Sequence, residues 1–102
     1  MERYVVEKRL GISNEEDFIK KVLSLLRRNR GVIELDMSEC EYVSSAGIRG
    51  LLIGVRAAKN FAGPETIQKA GIYLFNVREE VYQILLRAGL LQTFHVGERQ
   101  DV

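Results

Sequence analysis

The sequence predicts an α/β fold built on a mostly parallel sheet of four to five strands, and three observations predict it. Short apolar runs rich in β-branched residues alternate with stretches of helical periodicity. Each helical stretch is long enough to carry the chain back over the sheet, so that the next strand runs in the same direction. The 102 residues supply one hydrophobic core and are too few for two. The order is strand and helix in alternation, without linkers or repeats, and residues 1–102 therefore read as a single domain.

The first strand runs from Tyr4 to about Arg9. Ser13 stands three positions before Glu16, a capping-box spacing that opens the first helix. Phe18, Ile19, Val22, Leu23, Leu25 and Leu26 fall within one arc of that helix, with Lys20, Lys21, Ser24 and Arg28 opposite, so one side packs on the sheet. The cluster Arg27, Arg28 and Arg30 closes the helix, where positive charge favours the dipole, and reads as a solvated helix end. Gly31 is the stop. Val32, Ile33, Leu35 and Met37 then form a buried strand that ends at Ser38.

From Ile48 the period changes. Ile48, Leu51, Leu52, Val55 and Ala58 recur at helical spacing, which places Ser44-Ser45-Ala46-Gly47 where the second helix begins. Residues 61–70 contain Gly63-Pro64 and form a loop, with a possible helical turn over Glu65 to Lys69. Gly71 to Phe75 is the third strand. Asn76 with Glu79 repeats the capping spacing, Val81, Ile84, Leu85 and Ala88 form a core stripe, and Gly89 supplies the stop. Thr93 to Val96 is a short last strand.

Composition narrows the function classes. Lys plus Arg is 15 against 14 for Asp plus Glu, so a net charge of +1 gives no electrostatic case for nucleic acid. No run of about 18 apolar residues exists and the amino terminus lacks a signal-peptide core, so neither a membrane nor secretion is expected and the cytoplasm is the expected compartment. A lone Cys40 permits no intramolecular disulfide, in keeping with a reducing environment. Its neighbours Glu39 and Glu41 raise a thiol pKa rather than activate it, and Cys40 reads as a half-buried structural residue.

The two serines are the chemically interesting feature. Helix-start amides lack partners and carry partial positive charge, so they accept a serine oxygen or an oxyanion, and a phosphate on either serine fits there. The plainer reading, a serine used as an N-cap, stands beside it. On the second helix Ser45, Arg49, Ile53 and Arg56 share one arc beside the core stripe. An apolar residue between two arginines, with Gly50 and Ala57 as small neighbours, suits close approach by another protein, although an amphipathic helix with a scattered surface isoleucine has the same pattern. Arg49 lies one turn after Ser45 and can reach a phosphate on it.

From Asp36 through Ser38 to Ser44-Ser45-Ala46-Gly47-Ile48-Arg49 and Leu51-Leu52, the chain resembles the STAS family, whose founding members are bacterial anti-sigma factor antagonists. A second match runs from Asn76-Val77-Arg78-Glu79-Glu80-Val81 through Ile84-Leu85 to Ala88-Gly89-Leu90-Leu91, similar to the family's final helix and its Gly-Leu turn. The resemblance spans about residues 31–97 and implies helices packed chiefly against one face of the sheet. It implies Ser45 as a phosphoacceptor, with Asp36, Ser38, Ser44 and Gly47 supporting the site and Arg49, Gly50, Ile53 and Arg56 meeting a partner. Asp36 also suits a plainer task, capping the turn after its strand. The implied partners are an anti-sigma factor with serine kinase activity and a metal-dependent serine phosphatase, the chain being a substrate of both and not an enzyme. Its own oligomeric state is expected to be monomer or weak dimer. Many members carry Asp-Ser-Ser-Gly, whereas here Ser44 replaces the Asp and Ala46 the second serine. The amino terminus is also shorter than in most members.

Other classes are weaker. A serine nucleophile needs a nearby base, and the single histidine, His95, lies on the last strand, while Val43 stands where a nucleophile elbow needs glycine. Neither glycine-rich nucleotide fingerprint is present, so no cofactor is expected, nor any metal. Glu15-Glu16 and Glu79-Glu80 sit in first helical turns and need no acid-base role. A STAS scaffold or regulatory subunit of a signalling complex without a sigma factor is the main alternative.

Overall fold

The structure, a computed structural model, describes residues 3–97. In chain order the elements are β1 (Arg3–Val5), β2 (Arg9–Leu10), α1 (Glu15–Arg28), β3 (Val32–Asp36), β4 (Tyr42–Val43), α2 (Ser45–Phe61), β5 (Gly71–Phe75), α3 (Glu79–Arg87) and β6 (His95–Val96). The main sheet has four strands in the order β1-β3-β5-β6, all parallel, as the crossover lengths predict. A separate parallel pair, β2 with β4, lies beyond it.

That pair corrects the single first strand read from the sequence. The chain bends between Val5 and Arg9, so β1 joins the main sheet through Tyr4 opposite Leu35, while β2 leaves to pair Leu10 with Val43. Val6 and Leu10 are both buried, with exposed Lys8 between them at the bend, so both strands face the core although the hydrogen-bonding partner changes. The consequence is functional: β2 and β4 deliver two loops side by side at the start of α2.

One face of the main sheet is the core. Ile33, Leu35, Ile72 and Leu74 are fully buried, in one cluster with Phe18, Val22 and Leu26 of α1, Leu51 of α2 and Val81 and Leu85 of α3. On the other face the row Arg3, Glu34, Tyr73 and His95 runs across four strands in register. Arg3 pairs with Glu34 at 3.0 Å and covers the Phe75 ring, and Tyr73 stacks on His95 at 4.1 Å.

The helix α1 crosses closely over α2. A Cβ on Gly50 would sit 3.4 Å from Phe18 and one on Gly54 2.8 Å from Val22, so glycines set the approach of the two helices.

Two predicted capping boxes are corrected. The N-cap of α1 is Asn14, not Ser13, and its side chain serves the preceding loop instead of the helix. Its Oδ1 accepts from the Gly11 amide at 2.9 Å and its Nδ2 donates to the Arg9 carbonyl at 2.8 Å. The N-cap of α3 is Arg78, two residues beyond Asn76, which adopts a positive φ of 56° and turns the chain instead. The loop after α2 holds hydrogen-bonded turns from Gly63 to Lys69, pinned where the Thr66 hydroxyl donates to the Arg30 carbonyl at 2.8 Å. The last strand shortens to two residues because Thr93 closes a turn on Leu90.

Candidate functional site

The turn between β4 and α2 is built from backbone outward. The Ser44 amide donates to the Leu10 carbonyl at 2.9 Å, which ties the turn to β2. Ser44 is extended, with φ −81° and ψ 176°, and its hydroxyl accepts from the Gly47 amide at 3.2 Å, while its carbonyl accepts from Ile48 at 2.8 Å. Ser44 is therefore the N-cap. With the cap supplied, Ser45 is the first helical residue; it is exposed, and among the described residues its hydroxyl bonds to no other group. Gly47 is required by space: a Cβ there would come within 2.5 Å of the Leu10 carbonyl oxygen and 2.8 Å of Val43. Ala46, where many STAS proteins have a second serine, is buried.

Asp36 braces the strand ends. One carboxylate oxygen accepts from the Ser38 amide at 2.9 Å and from the Asn76 side chain at 3.2 Å, joining the end of β3 to the end of β5. Desolvation pushes this carboxyl upward, but the Ser38 and Asn76 hydrogen bonds and the nearby Arg3 charge outweigh it and hold its pKa below the usual value. Ser38 is exposed, and its carbonyl accepts from Arg78 at 3.3 Å. Asp36 and Ser38 shape the β3–β4 loop, with no hydrogen bond to Ser44 or Ser45 among the described residues.

The proposed arc on α2 divides. Arg49 and Arg56 are exposed and Ile53 is half-buried, whereas Gly50 is buried against Ile19 and Phe18. Gly50 thus admits the protein's own α1, which corrects its assignment to a partner surface. Arg49 is engaged too: its Nε and Nη2 donate to the two carboxylate oxygens of Glu15 at 2.9 and 3.2 Å. Those hydrogen bonds hold the Glu15 carboxyl below its ordinary range against an opposing desolvation, and raise the Arg49 guanidinium in turn. A phosphate on Ser45 would have to draw Arg49 away from Glu15.

Three neighbours were not legible from the pattern. Ile12 is 86% exposed on the β2–α1 loop, and Gly11 of the same loop lies against Ser44, a Cβ there falling 3.1 Å from its hydroxyl. Arg9 lies over the exposed Tyr42 ring at 4.7 Å, beside the same turn. Ile12 is thus a single exposed apolar side chain on the loop whose Gly11 lies against Ser44. Its only trace in the sequence is an apolar residue between Gly11 and Ser13, out of phase with the helix that follows.

His95 stacks on Tyr73 in the main sheet, whereas Ser45 follows β4 of the small one, and no hydrogen bond joins the histidine to either serine among the described residues. Cys40 is fully buried, not half-buried; burial first, then Glu7 and Glu41, push its thiol up against a weak bond to the Tyr42 carbonyl. Among the described residues no group of His, Cys, Asp or Glu is arranged to hold a metal ion, and no helix is long and apolar enough to cross a membrane. No protein-family model matches the chain, and no curated protein matches it.

Proposed function

We propose that this chain is a STAS-type anti-sigma factor antagonist, a binding module whose unphosphorylated form captures an anti-sigma factor with serine kinase activity and whose release follows phosphorylation of Ser45. The observation that carries the reading is the division of labour between adjacent serines: Ser44 caps α2, and Ser45 is left exposed at the first helical position with no structural bond to break. A phosphate there meets the positive end of the helix, so the fold tolerates it. A serine phosphatase resets the cycle, in the cytoplasm of a bacterium.

The surface around the serine supports the same reading. Ile12, Tyr42 and Arg9 on one side and Ile53 and Arg56 on the other give apolar contacts with cationic edges. Adding about −1.5 to −2 charges in their midst opposes an acidic partner. A loss of about 3 kcal/mol weakens binding on the order of a hundredfold, enough for a switch.

The test is intact-mass and fragment-ion analysis after incubation with ATP and host lysate, with Ser45→Ala as control. One phosphate at Ser45 is expected, together with capture of the kinase by Ser45→Ala and poor capture by Ser45→Asp. Phosphate on Ser44 alone, or equal capture by the two variants, rejects the reading.

A further inference from the structure

The near-neutral total hides a charge asymmetry. Residues 18–33 carry Lys20, Lys21, Arg27, Arg28 and Arg30 and no carboxylate. Residues 42–64 carry Arg49, Arg56 and Lys59 and again none. The two segments hold eight of the 15 basic residues and none of the 14 acidic ones, so most of α1 and the whole of α2 form a basic layer. Some of that charge is used internally: Lys20 pairs with Glu16, Arg49 with Glu15 and Arg30 with Glu65. Arg27 and Arg56, both exposed, meet no carboxylate among the described residues.

Within this layer lies an open depression of about 260 Å³, with Leu23 and Phe61 as its apolar lining and Lys20, Ser24 and Arg27 around them. It is smaller than the roughly 300–1,000 Å³ of small-molecule sites and suits one large apolar side chain. Half-buried Ala57 continues the apolar lining along α2. The site is far from the switch serine: sixteen residues of helix separate Ser45 from Phe61, about 24 Å at 1.5 Å per residue.

We propose that this depression is a second docking site, independent of Ser45, for an acidic amphipathic helix of a protein partner, with one apolar side chain seated between Leu23 and Phe61 and carboxylates facing Lys20 and Arg27 at its rim. Charge complementarity selects the occupant: a narrow apolar strip with cations beside it matches a helix carrying apolar residues between acidic flanks. A lipid surface fits less well, because the large exposed apolar residues Val5, Ile12, Tyr42, Ile67 and Leu86 all lie outside the strip. Phosphorylation at about 24 Å lies beyond the Debye length of about 8 Å at physiological salt, so it leaves this site unaffected.

The test is an amide-shift titration of the full chain with a synthetic helix bearing leucine on one face and glutamate on both flanks. Controls are the same peptide with lysine for glutamate, phosphatidylglycerol vesicles and single-stranded DNA. Expected are shifts at Leu23, Arg27, Ala57 and Phe61, binding that falls with salt, and at least about tenfold weakening in the Lys20→Glu, Arg27→Glu double variant with an unchanged urea midpoint. Ser45→Asp should bind the peptide as the natural chain does, so this result and the switch test stand or fall separately. Absence of shifts at saturation, equal binding of the lysine peptide, tighter binding to vesicles or DNA, or shifts confined to the Ser45 end each overturn the proposal.

Discussion

The Glu15 carboxylate of α1 and the Arg49 guanidinium of α2 form a two-bond clasp across the helix pair, at 2.9 and 3.2 Å, one turn beyond the exposed Ser45. The clasp makes Arg49 a contested cation. A phosphate at Ser45 competes with Glu15 for it, and the carboxylate keeps part of its hold because both anions are satisfied by one guanidinium. In phosphorylated protein, Glu15→Gln should therefore lower the second pKa of the phosphoserine, about 6 without a partner, and Arg49→Ala should raise it. A phosphorus-31 titration reads this directly. Identical curves for all three proteins would show that Arg49 does not reach the phosphate even when Glu15 no longer holds it.

Ile12 tests the interaction surface without touching the fold. It is 86% exposed and contributes little burial, so Ile12→Ser should leave the urea midpoint within about 0.5 kcal/mol of the natural chain. Capture of the kinase partner should nevertheless weaken about tenfold, because an apolar anchor is lost from the contact. Unchanged capture would place the contact on the α2 side alone.

Gly47 and Gly50 separate two kinds of helical glycine. An alanine methyl at Gly47 meets backbone, the Leu10 carbonyl at 2.5 Å, and Gly47→Ala should cost about 1–3 kcal/mol in denaturant unfolding. At Gly50 the methyl meets Ile19 Cγ1 and Phe18 Cδ2 at 3.3 and 3.4 Å, side-chain atoms that need give by only a few tenths of an ångström, and the gain in helix propensity of about 0.5–1 kcal/mol offsets the crowding. Gly50→Ala should therefore stay near the natural stability. Equal losses would mean that α1 is as rigid as the β2 backbone.

The main sheet and its three crossovers were legible because apolar spacing alone sets which side of each element is buried: Val22, Leu26, Ile33, Leu35, Ile72 and Leu74 all face the core as their periodicity requires. A serine cap at the start of α2 was legible for a similar reason, since its task is local, but which of the two serines supplies it was not. What failed was anything fixed by distant partners. Asn14 stands at the N-cap of α1 in place of Ser13, and its side chain, instead of bonding the helix, holds Gly11 and Arg9 in the loop. Arg49 is claimed by Glu15 from 34 residues away, and Gly50 by α1, and neither pairing leaves a mark in local spacing. The uneven charge of α1 and α2 is written in the sequence, but only the crossing of the two helices brings Leu23 and Arg27 beside Phe61 in one depression.

Asp36 gives the chain a defined acid sensitivity. Its hydrogen bonds to Ser38 and Asn76 need the carboxylate, and its folded pKa lies below the unfolded value near 3.9. A depressed carboxyl pKa means that the unfolded chain binds the proton more readily, so the stabilisation is complete above the unfolded pKa and is lost as pH falls through the folded one. Glu15 is depressed as well and adds to the same slope, so the natural chain's acid denaturation alone does not isolate Asp36. The difference between the natural chain and Asp36→Ala does. Urea unfolding at pH 7 should show Asp36→Ala the weaker by about 1.5–3 kcal/mol, the range for hydrogen bonds to a charged group, and the gap should narrow below about pH 4 as the carboxylate protonates. A gap independent of pH would mean that the loop depends on the shape of the side chain and not on its charge.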